Sequence, residues 1–211
     1  MPRRTDVRQA AEYASVHHGV LTRREADELG LSKNDIVGLV RDGVMEPCGR
    51  RSVRFLDHPV TWRQRLYVAT VGSRLMSSHT SGAALHRVEG YELPAMLEVT
   101  GPPGARARFD DVVYHQSKQM DPDDIFVVDL IPCATLARTV CDLSQNASTD
   151  IVRVLDDVQR RGVSLRWLLR TANRLLFGGH PMRSDLPAMM NRRLERYAVQ
   201  NRSWAGCCRS A

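Results

Sequence analysis

The chain has 211 residues, of which 43% are hydrophobic and 26% charged, and its formal net charge is +6 at pH 7. This composition is typical of a folded protein with one or two domains and argues against a chain that is disordered throughout. No apolar run approaches the roughly 18 residues of a membrane-spanning helix, and the N-terminus has no hydrophobic signal region, so we expect a cytoplasmic protein with no membrane contact.

The positive charge is concentrated at the C-terminal end of the chain. Lysine and arginine outnumber aspartate and glutamate by 11 to 2 in residues 158–211, whereas the counts are 10 to 9 in residues 1–60 and 9 to 13 in residues 61–157. A nucleic-acid-binding region in the first 60 residues would therefore depend on a few locally placed charges and not on the net charge of the segment.

The first 60 residues show the pattern of three helices followed by a β-hairpin. Apolar spacing predicts a helix over residues 5–17, Thr22 begins a second helix, and Ser32 caps a third helix that stops at Gly43. The runs VMEPCG and SVRFLD, joined at GRR, predict the two strands of the hairpin. This order predicts a winged helix-turn-helix domain over residues 1–58.

The third helix has two faces of different character. At about 100° per residue, Ile36, Leu39 and Val40 share one side and form the predicted core face. The opposite face carries one amide, one valine, one glycine and one arginine, which are side chains that contact base edges in a major groove. Together with the helix start and the arginines of the hairpin, it gives the predicted DNA-binding set: Ser32, Lys33, Asn34, Val37, Gly38, Arg41, Arg50, Arg51 and Arg54.

The sequence shows no recognisable catalytic, metal or cofactor motif. Its seven histidines and five cysteines form no HExxH or CxxC arrangement, and it contains neither a Walker A sequence nor GxGxxG. Lys33 and Lys118 lack the acid two positions earlier that a metal-dependent nuclease of the restriction type uses. We therefore expect a protein that is not an enzyme and that has no metal site and no cofactor.

The remainder of the chain mixes helix and strand patterns. Helices are predicted from about Thr61, in HTSGAALHRV, in CATLARTVCDL, and over residues 148–161 and 164–176, and strands in MLEVTG, DVVYHQS and IFVVDL. This pattern predicts a mixed α/β domain over residues 59–177, and with the N-terminal domain an α+β protein with C-terminal helices. For residues 178–211 we expect a basic, partly disordered remnant.

Several of these segments, taken in order, resemble a known family. The run HHGVLTRREADELGLSKNDIVGLVRDGVMEPCGRRSVRFL is followed by HPVTWRQRLYVATV, SSHTSGAAL, LEVTG, VVYHQS and DIFVVDLIPCATLARTVCDLS. The linked order HPxTW, SHxSGAA and IPxxxxARTxxDL, over roughly residues 10–176, resembles the AbiEi-like antitoxins of type IV toxin-antitoxin systems. The likeness is to their actinobacterial branch, in which a winged helix is often fused to a very-short-patch-repair-like endonuclease domain.

The resemblance implies a winged-helix protein that binds double-stranded DNA and represses its own operon, with a nucleotidyltransferase-like toxin as its partner. Because the chain ends at Ala211 without continuing the family pattern, we expect no endonuclease activity. Two alternatives stay open: a protein-interaction module that neutralises a toxin without binding DNA, and a truncated, inactive relative of a winged-helix endonuclease. The sequence predicts no particular oligomeric state or DNA target.

Overall fold

The first part of the chain contains three helices and a three-stranded antiparallel sheet. The computed structural model describes residues 3–94, 96–105, 109 and 111–207. Its first elements are, in chain order, α1 (Arg4–Val16), β1 (Val20–Thr22), α2 (Arg23–Glu28), α3 (Lys33–Arg41), β2 (Met45–Pro47) and β3 (Ser52–Phe55). The strands lie in the order β1-β3-β2.

Local capping interactions determine where α2 and α3 begin. The Glu25 N–H donates to Thr22 Oγ1 at 3.2 Å, and the Thr22 N–H donates to the Glu25 carboxylate at 2.7 Å. Ser32 and Asp35 form the same reciprocal pair at the start of α3. Each pair satisfies backbone donors that have no partner within the first helical turn. Both predicted helix starts are confirmed.

The predicted hairpin is also confirmed, and a third strand joins it. β2 pairs with β3 so that Met45 lies opposite Phe55. β1, which the sequence pattern did not predict, pairs with the other side of β3 and places Thr22 opposite Ser52. β3 is therefore the central strand of this sheet.

The second part of the chain forms a mixed five-stranded sheet surrounded by helices. Its elements are α4 (Trp62–Thr70), β4 (Met76–Ser77), α5 (His79–Leu85), β5 (Leu97–Gly101), β6 (Val112–Gln116), a single 3-10 turn (Pro122–Asp124), β7 (Ile125–Val128), β8 (Ile131–Ala134), α6 (Leu136–Leu143), α7 (Ile151–Arg160), α8 (Leu165–Phe177) and α9 (Leu186–Cys207). The strand order is β6-β5-β4-β8-β7. The β4–β8 and β5–β6 pairs are parallel and the other two are antiparallel. The α+β class is as predicted.

The helix predicted from Thr61 is shorter than its apolar pattern suggested. Thr61 caps α4 by accepting a hydrogen bond from the Gln64 N–H at 3.1 Å. The helix ends at Thr70 because Val71 is extended and Gly72 has a φ of +62°. The chain then enters β4, a two-residue strand that was not predicted.

Three clusters of buried apolar side chains hold these elements together. One joins α1, α2 and α3 to the first sheet, a second joins α4 to the larger sheet, and a third lies among α6, α7, α8 and α9. Val20 of β1 belongs to the second cluster, although its neighbour Leu21 belongs to the first. Gln64 Nε2 also donates to the His18 carbonyl at 2.6 Å. The two parts of the chain therefore share a packed boundary.

The C-terminal segment has more structure than the sequence indicated. α9 begins at Leu186 and runs to Cys207, and Leu186 and Met190 are fully buried in the third apolar cluster. These apolar side chains pack against α7 and α8, so the part of the segment around LPAMMNRRLERYAV belongs to the fold. Residues 208–211 lie outside the described residues. Across the described ranges, no helix is both long and apolar enough to cross a membrane.

A buried arginine organises the polar interior of the second part. Arg138 on α6 is completely buried, with Nε 2.9 Å from Asp142 Oδ1 and Nη1 3.2 Å from Asp124 Oδ2. Its Nη2 donates to Ser117 Oγ at 3.1 Å, and its Nη1 also donates to the Gln119 carbonyl at 2.8 Å. A charge removed from water needs such partners, so this network holds α6 against the end of β6 and the 3-10 turn.

His180 extends the network to the connection between α8 and α9. Its Nε2 lies 2.9 Å from Asp142 Oδ1. Burial acts to raise the pKa of Asp142, but the hydrogen bond from His180 and the charge of Arg138 outweigh it and hold the pKa below its ordinary value. Asp142 is therefore ionised inside the fold, where it needs Arg138.

We predict that Arg138→Met lowers the free energy of unfolding by about 3–5 kcal/mol, because it leaves the Asp142 carboxylate buried without its cation. Urea unfolding at pH 7, followed by circular dichroism, measures this change. Arg153→Met is the matched control, since Arg153 pairs with Glu89 at the surface and an exposed pair contributes little. Equal losses in the two variants would contradict a stabilising role for the buried network.

The boundary between the two parts depends on Gly19. Its φ is +75°, and a Cβ at this position would lie 2.5 Å from His58 Cβ. Gly43 has a similar φ of +70°, but among the described residues no atom lies within 4 Å of a Cβ built there. Alanine is disfavoured in this left-handed conformation at both positions, by about 1–2 kcal/mol, and only Gly19→Ala adds a steric clash.

We therefore predict that Gly19→Ala destabilises the protein more than Gly43→Ala does. The two variants are compared by their urea midpoints, with the m-value as a check that the unfolding transition is unchanged. Indistinguishable midpoints would mean that His58 moves aside without cost.

Candidate nucleic-acid interface

The two faces of α3 are placed as the sequence predicted. Ile36 and Leu39 are buried in the first apolar cluster, and Val40 packs against it. On the other side, the side chain of Val37 is 61% exposed, a large fraction for an aliphatic residue within a helix. Single exposed apolar side chains are common on protein surfaces, so Val37 shows that this face of α3 is open to solvent.

The predicted contact residues of α3 do not all have the same surroundings. Lys33, Asn34 and Arg41 are exposed, and Gly38 is half-buried. Ser32 is engaged in its cap, since its Oγ donates to Asp35 Oδ2 at 2.6 Å. Lys33, Asn34 and Arg41 are therefore the polar side chains of this helix that remain accessible to a ligand.

A groove of about 1260 Å³ lies between α1 and α3. We call it the α1–α3 groove. Arg8 and Arg41 are the basic residues that line it, and Asp35, Asp42 and Asp57 are the acidic ones. Arg41 Nε lies 3.0 Å from Asp42 Oδ1, so part of its charge is already compensated. The electrostatic environment of α3 on this side is therefore not positive, and this helix alone does not attract a polyanion.

The hairpin arginines divide into two kinds. Arg50 and Arg51, at the turn, are exposed. Arg54 is not: its side chain is 11% exposed, and its Nε lies 2.6 Å from Glu46 Oε1. Arg54 lies on β3 directly opposite Glu46 on β2, and its Nη1 donates to the His58 carbonyl at 2.9 Å. The expectation that Arg54 belongs to an open basic surface is wrong, because strand pairing places a carboxylate against it.

Two arginines that the sequence interpretation left out join the hairpin turn. Arg23 and Arg24, at the start of α2, line the same groove as Arg50 and Arg51, a space of about 520 Å³ that continues to α4. The Arg23 N–H donates to the Arg51 carbonyl at 2.7 Å. Arg23 approaches Arg51 because β1 pairs with β3. Predicting β1 from the sequence would have been needed to predict this approach. We call this space the arginine groove.

The arginine groove has the charge that the α1–α3 groove lacks. Among the described residues that line it, none is acidic. Arg24 Nε lies 2.8 Å from Glu28 Oε1, so part of its charge is compensated by an exposed pair, as it is for Arg41. Four arginines line this one concave surface, and arginine binds phosphate groups through two parallel hydrogen bonds.

Comparison with known proteins supports the fold and goes no further. No protein-family model and no curated protein sequence matches the chain. Among solved structures, the crystal structure of the RV2827C protein from Mycobacterium tuberculosis matches 82% of this chain and 72% of its own, with a TM-score of 0.51 and 16% sequence identity. At that identity, the likeness shows that the two chains share an α+β fold.

Proposed function

We propose that residues 3–58 form a winged helix-turn-helix that binds double-stranded DNA, and that the protein is a non-enzymatic transcription regulator of the AbiEi antitoxin kind. The observation that carries the proposal is the arginine groove, whose described lining residues include Arg23, Arg24, Arg50 and Arg51 and no acidic residue. Contacts of this kind to the phosphate backbone supply most of the affinity of DNA-binding proteins.

The arrangement of elements supports the same proposal. Three helices with a strand after the first and a hairpin after the third is the element order of a winged helix, and α3 occupies the position of a recognition helix. Its exposed side chains Asn34, Val37 and Arg41 offer donors to base edges and a contact for a thymine methyl group. Phosphate contacts through the arginine groove would orient the domain, and α3 would read the sequence.

The resemblance to AbiEi-like antitoxins supports a regulatory role. It implies that the protein represses its own operon and binds a nucleotidyltransferase-like toxin.

A protein-interaction module is the second candidate, and the α1–α3 groove favours it. Its three lining aspartates, Asp35, Asp42 and Asp57, would repel a DNA backbone but could face the basic residues of a protein partner. The hydrogen bond from the Ser32 side chain lowers the pKa of Asp35, so this carboxylate is negatively charged at neutral pH. In this case the exposed face of α3 would dock a protein, and DNA would not bind.

We predict that Arg50→Ala and Arg51→Ala each weaken binding to all duplex sequences and flatten the plot of log affinity against log salt concentration by about one unit of slope. Arg153→Ala is the matched control, because it removes one exposed arginine from α7. Fluorescence anisotropy with a duplex from the protein's own promoter and with a scrambled duplex measures both effects. Absence of wild-type binding at low salt would refute the proposed function and favour the second candidate.

We predict a different result for the exposed face of α3. Asn34→Ala and Arg41→Ala should each reduce the discrimination between the promoter duplex and the scrambled duplex by about 1–3 kcal/mol, because they remove base contacts. Lys33→Ala should weaken binding to both duplexes equally, as expected for a phosphate contact. If all three variants lose affinity for the two duplexes in parallel, α3 does not read the sequence.

A further inference from the structure

Two histidines and a glutamate come together on the larger sheet, far apart in sequence. His79 is the first residue of α5, Glu98 lies on β5 and His115 on β6. One ligand atom from each of the three lies within 4.8 Å of those of the other two. Parallel pairing of β5 with β6 produces the approach, since it places His115 beside Thr100, two residues beyond Glu98. The sequence contains no motif that would reveal this cluster.

His79 has an imidazole nitrogen without a partner. The residue is 7% exposed, and its Nε2 makes no hydrogen bond to the described part of the chain. Its other nitrogen, Nδ1, lies 3.0 Å from Ser78 Oγ, which itself accepts a hydrogen bond from Thr100 Oγ1 at 2.7 Å. Leaving a buried polar atom unsatisfied is costly, and such an atom in a native fold indicates a missing ligand, ion or water.

The backbone of His79 is also strained. Its φ is +49°, a left-handed conformation that is disfavoured for a residue with a Cβ and that is concentrated at functional sites. This conformation occurs at the junction between β4 and α5, where it sets the direction in which the ring leaves the backbone. The fold therefore retains a disfavoured conformation at the residue whose nitrogen is unsatisfied.

Hydrogen bonds fix the orientation of the Glu98 carboxylate, as they do for carboxylates that bind metals. One oxygen, Oε1, lies 3.1 Å from His115 Nε2. The other, Oε2, accepts hydrogen bonds from both the backbone N–H and the hydroxyl of Thr80. Partners of this kind orient the ligands of metal sites.

The geometry points to a divalent transition-metal site formed by His79, Glu98 and His115, a set of two imidazoles and one carboxylate that leaves coordination positions open. This ligand set suits Zn²⁺ and Fe²⁺ and disfavours Mg²⁺ and Ca²⁺, which prefer oxygen ligands. The site is independent of DNA binding, since none of its residues belongs to α3 or to the arginine groove. A bound ion would link α5 to two strands of the sheet.

Metal binding requires a small rearrangement of one ring. The imidazoles of His79 and His115 are stacked, with centroids 3.7 Å apart and an angle of 20° between their planes. Lone pairs of stacked rings run side by side and do not converge on one point. His115 is the ring able to turn, because its side chain is 30% exposed, whereas His79 is enclosed. The same exposure provides a route for the ion.

The test uses the full chain in a Cys207→Ser, Cys208→Ser background, freed of metal with a chelator and titrated with Zn²⁺ by isothermal calorimetry. We expect one Zn²⁺ per chain and an increase in melting temperature on binding. His115→Gln and His79→Gln should abolish stoichiometric binding, and Thr80→Val should weaken it by roughly 10- to 100-fold, as loss of a supporting hydrogen bond does. His58→Gln is the control that should bind normally.

Substitution with Co²⁺ gives an independent readout of the ligands. The visible absorption of bound Co²⁺ should appear with the chain that keeps all three ligands and be absent with His115→Gln. The His115 side chain is 30% exposed, so this substitution disturbs the core less than His79→Gln does. Circular dichroism of each variant without metal checks this. The proposal is overturned if the Cys207→Ser, Cys208→Ser chain does not bind one equivalent of Zn²⁺. It is also overturned if His115→Gln in that background binds Zn²⁺ equally well.

Discussion

The interior of the second part of the chain depends on placing one positive charge where water cannot reach it. Arg138 is completely buried and contacts groups from α6, the 3-10 turn and the end of β6. Because a guanidinium presents five donors in a fixed plane, its partners must occupy set positions and cannot slide past one another. Through His180 the same requirement reaches the connection between α8 and α9. The apolar clusters provide cohesion, and this network provides the register between elements.

Local signals made the N-terminal fold readable from the sequence. Thr22 and Ser32 with their acidic partners mark helix starts within four residues, and Gly43 marks a helix end. Short strands such as β4 and β8 could not be read in this way, because they are fixed by pairing with each other and with β5 and β7. The helix predicted in CATLARTVCDL is confirmed from Leu136 onward as α6. The buried ion pairs of its Arg138 with Asp142 and Asp124 were not predicted, because only the folded chain brings Asp124 close to α6.

The difference between local helix signals and long-range strand pairing also explains which functional residues could be predicted from the sequence. Helical periodicity was sufficient to separate the core face of α3 from its exposed face, because neighbours on a helix surface are close in sequence. Strand pairing could not be predicted from the sequence, because it joins residues that are distant along the chain. It places Glu46 against Arg54, Arg51 near Arg23, and Glu98 near His115. Charge counts over sixty residues indicated a near-neutral segment. The folded chain instead separates its charges into an acidic groove and a basic one.

The hairpin turn is not a free appendage. A Cβ built on Gly49 would lie 3.0 Å from Val68 Cγ1 of α4, so the turn lies against the second part of the chain, and α4 forms one wall of the arginine groove. A ligand or partner that displaced α4 would change one wall of the arginine groove. Thermodynamic reciprocity then requires that whatever binds the arginine groove alters, by the same factor, the affinity for any ligand that displaces α4. Because α4 belongs to both the second part of the chain and the wall of the arginine groove, a ligand site on one part would be linked to a ligand site on the other.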